Sequence, residues 1–64
     1  MKKSYYDMYK KAALKTNGRY KGYTGGNALS LYVYEKYGVN AVDNSAANDA
    51  LCAVYDEYKE YIKT

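Results

Sequence analysis

Every large ring in this chain ends in a hydroxyl. The sequence carries 11 tyrosines and neither phenylalanine nor tryptophan. A phenol buried as deeply as a phenylalanine must find a hydrogen-bond partner or leave a polar atom dry. The rings are therefore expected to line the rim of a core, half buried, with small and aliphatic residues filling the centre. The aliphatic supply is short: Leu14, Leu29, Leu31, Leu51, Val33, Val39, Val42, Val54 and Ile62. Across 64 residues this implies one domain with a thin stability margin.

Cross-links do not relieve that margin. Cys52 is the single cysteine and there is no histidine, so an intrachain disulfide and a Cys/His zinc site are both excluded. Cys52 lies in the apolar run Leu51-Cys52-Ala53-Val54 and is read as a small buried hydrophobe. Stability must then come from regular helix packing, from self-association, or from both.

Three segments carry helical signals. Ser4 with Asp7 three residues on resembles a capping box, and Tyr5, Met8, Tyr9 and Ala12 recur at helical spacing until Asn17-Gly18. This predicts a helix at about 4–16, with an Asp7–Lys11 pair on its surface. Residues 29–34 alternate like a strand and also fit a helix face. Asn27 as N-cap and Gly38 as C-cap favour a helix at 28–37. The last stretch is the clearest. After Asp43-Asn44-Ser45, Ala47, Leu51, Val54, Tyr58, Tyr61 and Ile62 form one stripe, opposite Asp49, Asp56, Glu60 and Lys63, which predicts an amphipathic helix at 46–62. Residues 17–27, rich in glycine and tyrosine, read as a loop, with a short hairpin through Arg19–Thr24 as the alternative. The expected fold is an all-α, three-helix single domain, with helices two and three adjacent because residues 38–44 are a short connection.

Charge is divided along the chain. Residues 1–24 hold seven cations against Asp7, whereas residues 25–64 hold three lysines against six carboxylates, within a net charge of +3. The ends attract, which favours packing the first helix near the last. Met1-Lys2-Lys3 is not followed by an apolar stretch, and no run approaches the roughly 18 residues of a membrane span. The expected setting is cytoplasmic, with no membrane.

Candidate motifs are weak. Glu35–Asn40 resembles the turn of a helix-turn-helix, yet Tyr34 occupies a position that must be small. The glycine spacing of residues 17–27 matches neither phosphate-binding fingerprint. Asp43, Asn44, Asn48 and Asp49 lack the glycine and terminal glutamate of a calcium loop and read as helix caps. The carboxylates Asp56, Glu57 and Glu60 fall on an exposed face without a cleft. No catalytic residue, metal ligand or cofactor is expected.

Two functional classes remain. The first is a non-enzymatic protein-interaction module, in form like a phage- or mobile-element inhibitor of a larger host protein. Its candidate contact residues are Tyr6, Arg19, Tyr20, Lys21, Tyr23 and Tyr34, because tyrosine and arginine anchor interfaces. A surplus of tyrosine surface also implies a homodimer. The second class is nucleic-acid binding by Lys3, Lys10, Lys11, Lys15, Arg19 and Lys21, with interleaved tyrosines as stacking platforms.

Overall fold

The computed structural model describes residues 2–60. Its elements run α1 (Lys3–Thr16), β1 (Arg19–Tyr20), β2 (Tyr23–Thr24), α2 (Gly25–Tyr37) and α3 (Ser45–Glu57). The protein is mostly helical, with three helices as expected, but it is not all-α. The supposed loop contains an antiparallel hairpin that pairs Arg19 with Thr24 and Tyr20 with Tyr23.

Backbone chirality accounts for that hairpin. Lys21 (φ 49°) and Gly22 (φ 85°) are both left-handed, the combination that a tight two-residue turn needs if its strands are to keep their natural twist. Below the strands, the Gly25 N–H donates to the Gly18 carbonyl at 2.8 Å. This bond closes the base of the hairpin and fixes where α2 can begin. The helix therefore starts at Gly25, with Thr24 as its cap residue, and Asn27 sits inside it instead of capping it.

The helix ends follow the expected chemistry more closely. Asn17 (φ 54°) terminates α1 and Gly38 (φ 72°) terminates α2, each donating its backbone N–H to the carbonyl four residues back. Asn44 caps α3, its Oδ1 accepting from the Ala47 N–H at 3.1 Å. The start of α1 differs from the sequence reading. Lys2 occupies the cap position without a side-chain bond, and Ser4 lies within the first turn. Asp7 pairs with Lys3 at 3.8 Å and not with Lys11. Helix α3 ends at Glu57 and is followed by a turn over Tyr58–Glu60. The predicted continuation through Tyr61 and Ile62, with Lys63, lies outside the described residues.

The core is made largely of alanine. Ala12 and Ala13 from α1, Ala47 and Ala50 from α3, and Ala41 from the connection are buried around Tyr9, Leu29, Val33 and Val54. Small residues on the facing sides let α1 and α3 approach closely, and this is the broadest helix contact in the fold. The larger side chains gather at the edge, with Tyr5, Tyr6, Met8, Tyr32, Leu51 and Tyr58 half buried against the centre. Two residues counted as core supply are not core. Leu14 is 46% exposed and Val42 is 88% exposed. Cys52 is also exposed, because it faces away from the Ala47–Ala50–Val54 side of α3.

Tyr9 is the exception to the rim rule. Its ring is fully buried, and its hydroxyl has no hydrogen-bond partner among the described residues. Burial, with Tyr5 nearby, pushes its pKa up. Removing an unsatisfied buried hydroxyl while keeping the ring should help, so Tyr9→Phe is expected to stabilise the fold by about 1 kcal/mol. Val54→Ala should destabilise by about 1–3 kcal/mol, with a smaller loss for half-buried Leu51→Ala. Thermal melts of the three variants against the parent check both statements.

Candidate interaction surface

The hairpin packs on α2, and the bonding around Glu35 explains how so short a sheet is held. The Tyr20 hydroxyl donates to Glu35 Oε1 at 2.7 Å. The Lys21 ammonium donates to both carboxylate oxygens, at 2.9 and 3.1 Å. The Tyr20 ring meets Tyr32 edge-on, with centroids 5.3 Å apart, and the Lys36 ammonium lies 5.8 Å from the Tyr32 ring centre. One carboxylate on α2 thus grips both the first strand and the turn.

The protonation equilibria follow from these bonds. The Tyr20 hydrogen bond, followed by those of Lys21, holds the Glu35 carboxyl below its ordinary value. Glu35 in turn raises the phenol of Tyr20 and the ammonium of Lys21. A depressed carboxylate stabilises the fold above its unfolded pKa and loses that contribution as pH falls through the folded value. A raised phenol stabilises below its unfolded pKa and loses the contribution as pH rises.

With the hairpin anchored, Tyr23 stands beside the outward side of α2. Asn27, Leu31 and Tyr34 recur there at spacings of four and three, and so share one stripe. Together with Ser30 and Asn40 they line a shallow depression of about 230 Å³. Tyr23 and Tyr34 are each 53% exposed, whereas Leu31 between them is half buried. The site therefore has two large rings, an aliphatic floor and amide or hydroxyl groups at its margin. It offers contact area and hydrogen bonding.

Of the residues expected from sequence, Arg19, Tyr20, Lys21, Tyr23 and Tyr34 belong to the hairpin and the helix beneath it. Tyr20 and Lys21 are engaged with Glu35, and Arg19 is exposed on the hairpin. Tyr6 sits elsewhere, at the α1–α3 contact, where its hydroxyl donates to Glu57. That bond, with smaller contributions from burial and from Tyr58, pushes the Tyr6 phenol up to about 12. Sequence reasoning missed Asn27, Ser30, Leu31, Glu35 and Asn40. The Asn27–Leu31–Tyr34 spacing was visible, but starting the helix at residue 28 hid its first member.

The basic residues are distributed differently. Lys11, Lys15 and Arg19 are exposed and Lys10 is half buried, and none of the four has an ion-pair partner among the described residues. Lys3 pairs with Asp7 and Lys21 with Glu35. Of the tyrosines interleaved with these lysines, Tyr9 is buried, half-buried Tyr5 accepts from Asn44 Nδ2 at 3.2 Å, and half-buried Tyr6 is bonded to Glu57. The Lys2 ammonium lies 5.4 Å from the Tyr5 ring centre.

Among the described residues, no three His, Cys, Asp or Glu side chains come together as a metal site, and no helix is long and apolar enough to cross a membrane. Compared with known proteins, the chain matches no protein-family model, no curated protein and no solved structure.

Two expectations follow. Glu35→Ala should speed amide exchange at Tyr20 and Tyr23 by roughly tenfold or more while leaving α1 and α3 protected, as local opening does. In an alkaline absorbance titration of the phenols, Tyr6 should ionise with the last group, near its raised value of about 12. Tyr6→Phe should remove that late step, and the stability supplied by the Tyr6–Glu57 bond should fade between the ordinary value of 10.0 and about 12.

Proposed function

We propose that the protein is a non-enzymatic interaction module that docks on a larger protein through the surface of Tyr23, Leu31 and Tyr34, occupying that partner's surface as a small inhibitor does. The observation that carries this reading is the pair of half-exposed rings, Tyr23 on the hairpin that Glu35 anchors and Tyr34 on α2, flanking the aliphatic floor of Leu31. Rings held in place lose little entropy on binding, and a large rigid aromatic beside a small apolar hollow is the usual chemistry of an energetic centre. Asn27, Ser30 and Asn40 would supply the polar margin.

Binding of nucleic acid by Lys10, Lys11, Lys15 and Arg19 is the second reading, supported by the absence of ion-pair partners for these cations among the described residues. Its main contacts would be to phosphates, and its affinity would fall steeply with salt.

Affinity capture from the source cell separates the two. The parent chain and a Tyr23→Ala/Tyr34→Ala variant serve as bait, alongside a Lys10→Ala/Lys11→Ala/Lys15→Ala variant. The interaction reading expects one captured protein whose recovery drops at least roughly tenfold with the tyrosine variant, as loss of an interface centre does, and is unchanged with the lysine variant. Recovery of nucleic acid that depends on the lysines, with no protein that depends on the tyrosines, would reverse the assignment.

A further inference from the structure

The outer sides of α1 and α3 are unlike and complementary. Within Lys3–Thr16 there are four lysines against Asp7, whereas within Ser45–Glu60 there are four carboxylates against Lys59. On α1, Leu14 protrudes 46% exposed, with exposed Lys11 and Lys15 on either side of it in the sequence and half-buried Lys10 one turn before. This side is opposite to the one that buries Tyr9, Ala12 and Ala13. On α3, exposed Asp49, Cys52 and Asp56 face outward, opposite the buried Ala47, Ala50 and Val54.

Beside these outward residues the surface is hollow. The first turn of α2 has no side chain at Gly25 or Gly26, and the Tyr55 ring crosses that gap. A Cβ built on Gly25 would lie 3.6 Å from Tyr55 Cε1, and one on Gly26 would lie 3.9 Å from Tyr55 Cδ1. The result is a depression of about 420 Å³ lined by Gly26, Asn27, Leu51, Cys52, Tyr55 and Asp56. Leu51 and Tyr55 give it apolar walls, and it is larger than a leucine side chain. The Asp56 carboxylate, 3.8 Å from the Lys59 ammonium, stands at its edge, with Asp49 further along the same outward side.

We propose that copies of this chain associate head to tail, with Leu14 and its flanking lysines on one copy seated in the Leu51–Tyr55 hollow and on the Asp49/Asp56 edge of the next. A cation-ringed aliphatic residue and an acid-edged aliphatic hollow meet both requirements of a contact, apolar burial and opposite charge. The two faces point away from a core shared by α1 and α3, so one pair of copies does not make both contacts at once. Each added copy leaves one protruding face and one hollow open, which produces a chain of subunits and not a closed two-fold dimer. This surface adjoins the Tyr23–Tyr34 surface at Asn27 but uses neither tyrosine, so the proposal stands or falls independently of that reading.

Two variants and their mixture test the proposal. Lys11→Glu/Lys15→Glu inverts the charge around Leu14, and Cys52→Trp fills the hollow. Both sites are exposed, so circular dichroism melts should match the parent, and a variant that fails this control is replaced by Leu14→Asp or by maleimide-blocked Cys52. At about 100 µM and low salt, sedimentation of the parent should show species of rising mass above 7.3 kDa. These should shrink when salt is raised from about 20 to about 500 mM, which shortens the screening length from roughly 20 Å to about 4 Å. Each variant alone should remain at 7.3 kDa. Mixed, the intact hollow of the first should take the intact Leu14 face of the second, giving a one-to-one pair that grows no further. A parent that is monomeric throughout overturns the proposal. So does association that survives both variants, or a mixture that stays monomeric.

Discussion

The close approach of α1 and α3 is the constraint on which the remaining structure depends. Ala12 and Ala13 on one helix and Ala47 and Ala50 on the other are buried without volume to spare, so the axes come near and one large ring, Tyr9, fills the space left between them. A short chain with few aliphatic residues gains a dry interior this way at the cost of a narrow one. The charge division along the sequence adds no ion pair to this contact among the described residues, because the α1 lysines and the α3 carboxylates lie on outward sides.

A narrow centre leaves the large residues outside it, and the tyrosine hydroxyls turn this into an advantage. Tyr5 is tied to Asn44, the residue that caps α3; Tyr6 is tied to Glu57 at the other end of the same helix; and Tyr20 is tied to Glu35 on α2. Each ring covers part of the core with its apolar body and fastens two elements with its polar tip. Phenylalanine in those places would cover without fastening. Tyr23 and Tyr34 are not fastened in this way, and they define the candidate interaction surface.

How much of this was legible depended on whether the signal was local. Asn17, Gly38 and Asn44 announced helix ends because their conformational preferences act within a few residues, and the alanine and valine spacing of α3 marked its buried side. The hairpin was weakly legible. Lys21-Gly22 suits a left-handed turn, but two-residue strands have no periodicity to detect, and their stability comes from Glu35, more than ten residues away. That distant closure also moved the start of α2 to Gly25, past the local lure of Asn27. Cys52 and Leu14 were misjudged for one reason. An apolar neighbourhood in sequence says little about which side of a helix a residue occupies, and both fall on outward sides. The interaction surface inherits these errors, being formed by a turn and a helix face whose meeting is a tertiary fact.

The dry hydroxyl of Tyr9 gives the molecule an internal clock. The other described tyrosines all meet solvent to some degree, so reagents that attack phenols can reach them in the folded chain. Tyr9 becomes reachable when the core that α1, α2 and α3 share opens, because it is buried in the single cluster those helices form. Its rate of chemical modification therefore counts global openings, and a partner that clamps the fold slows that count without touching Tyr9 itself.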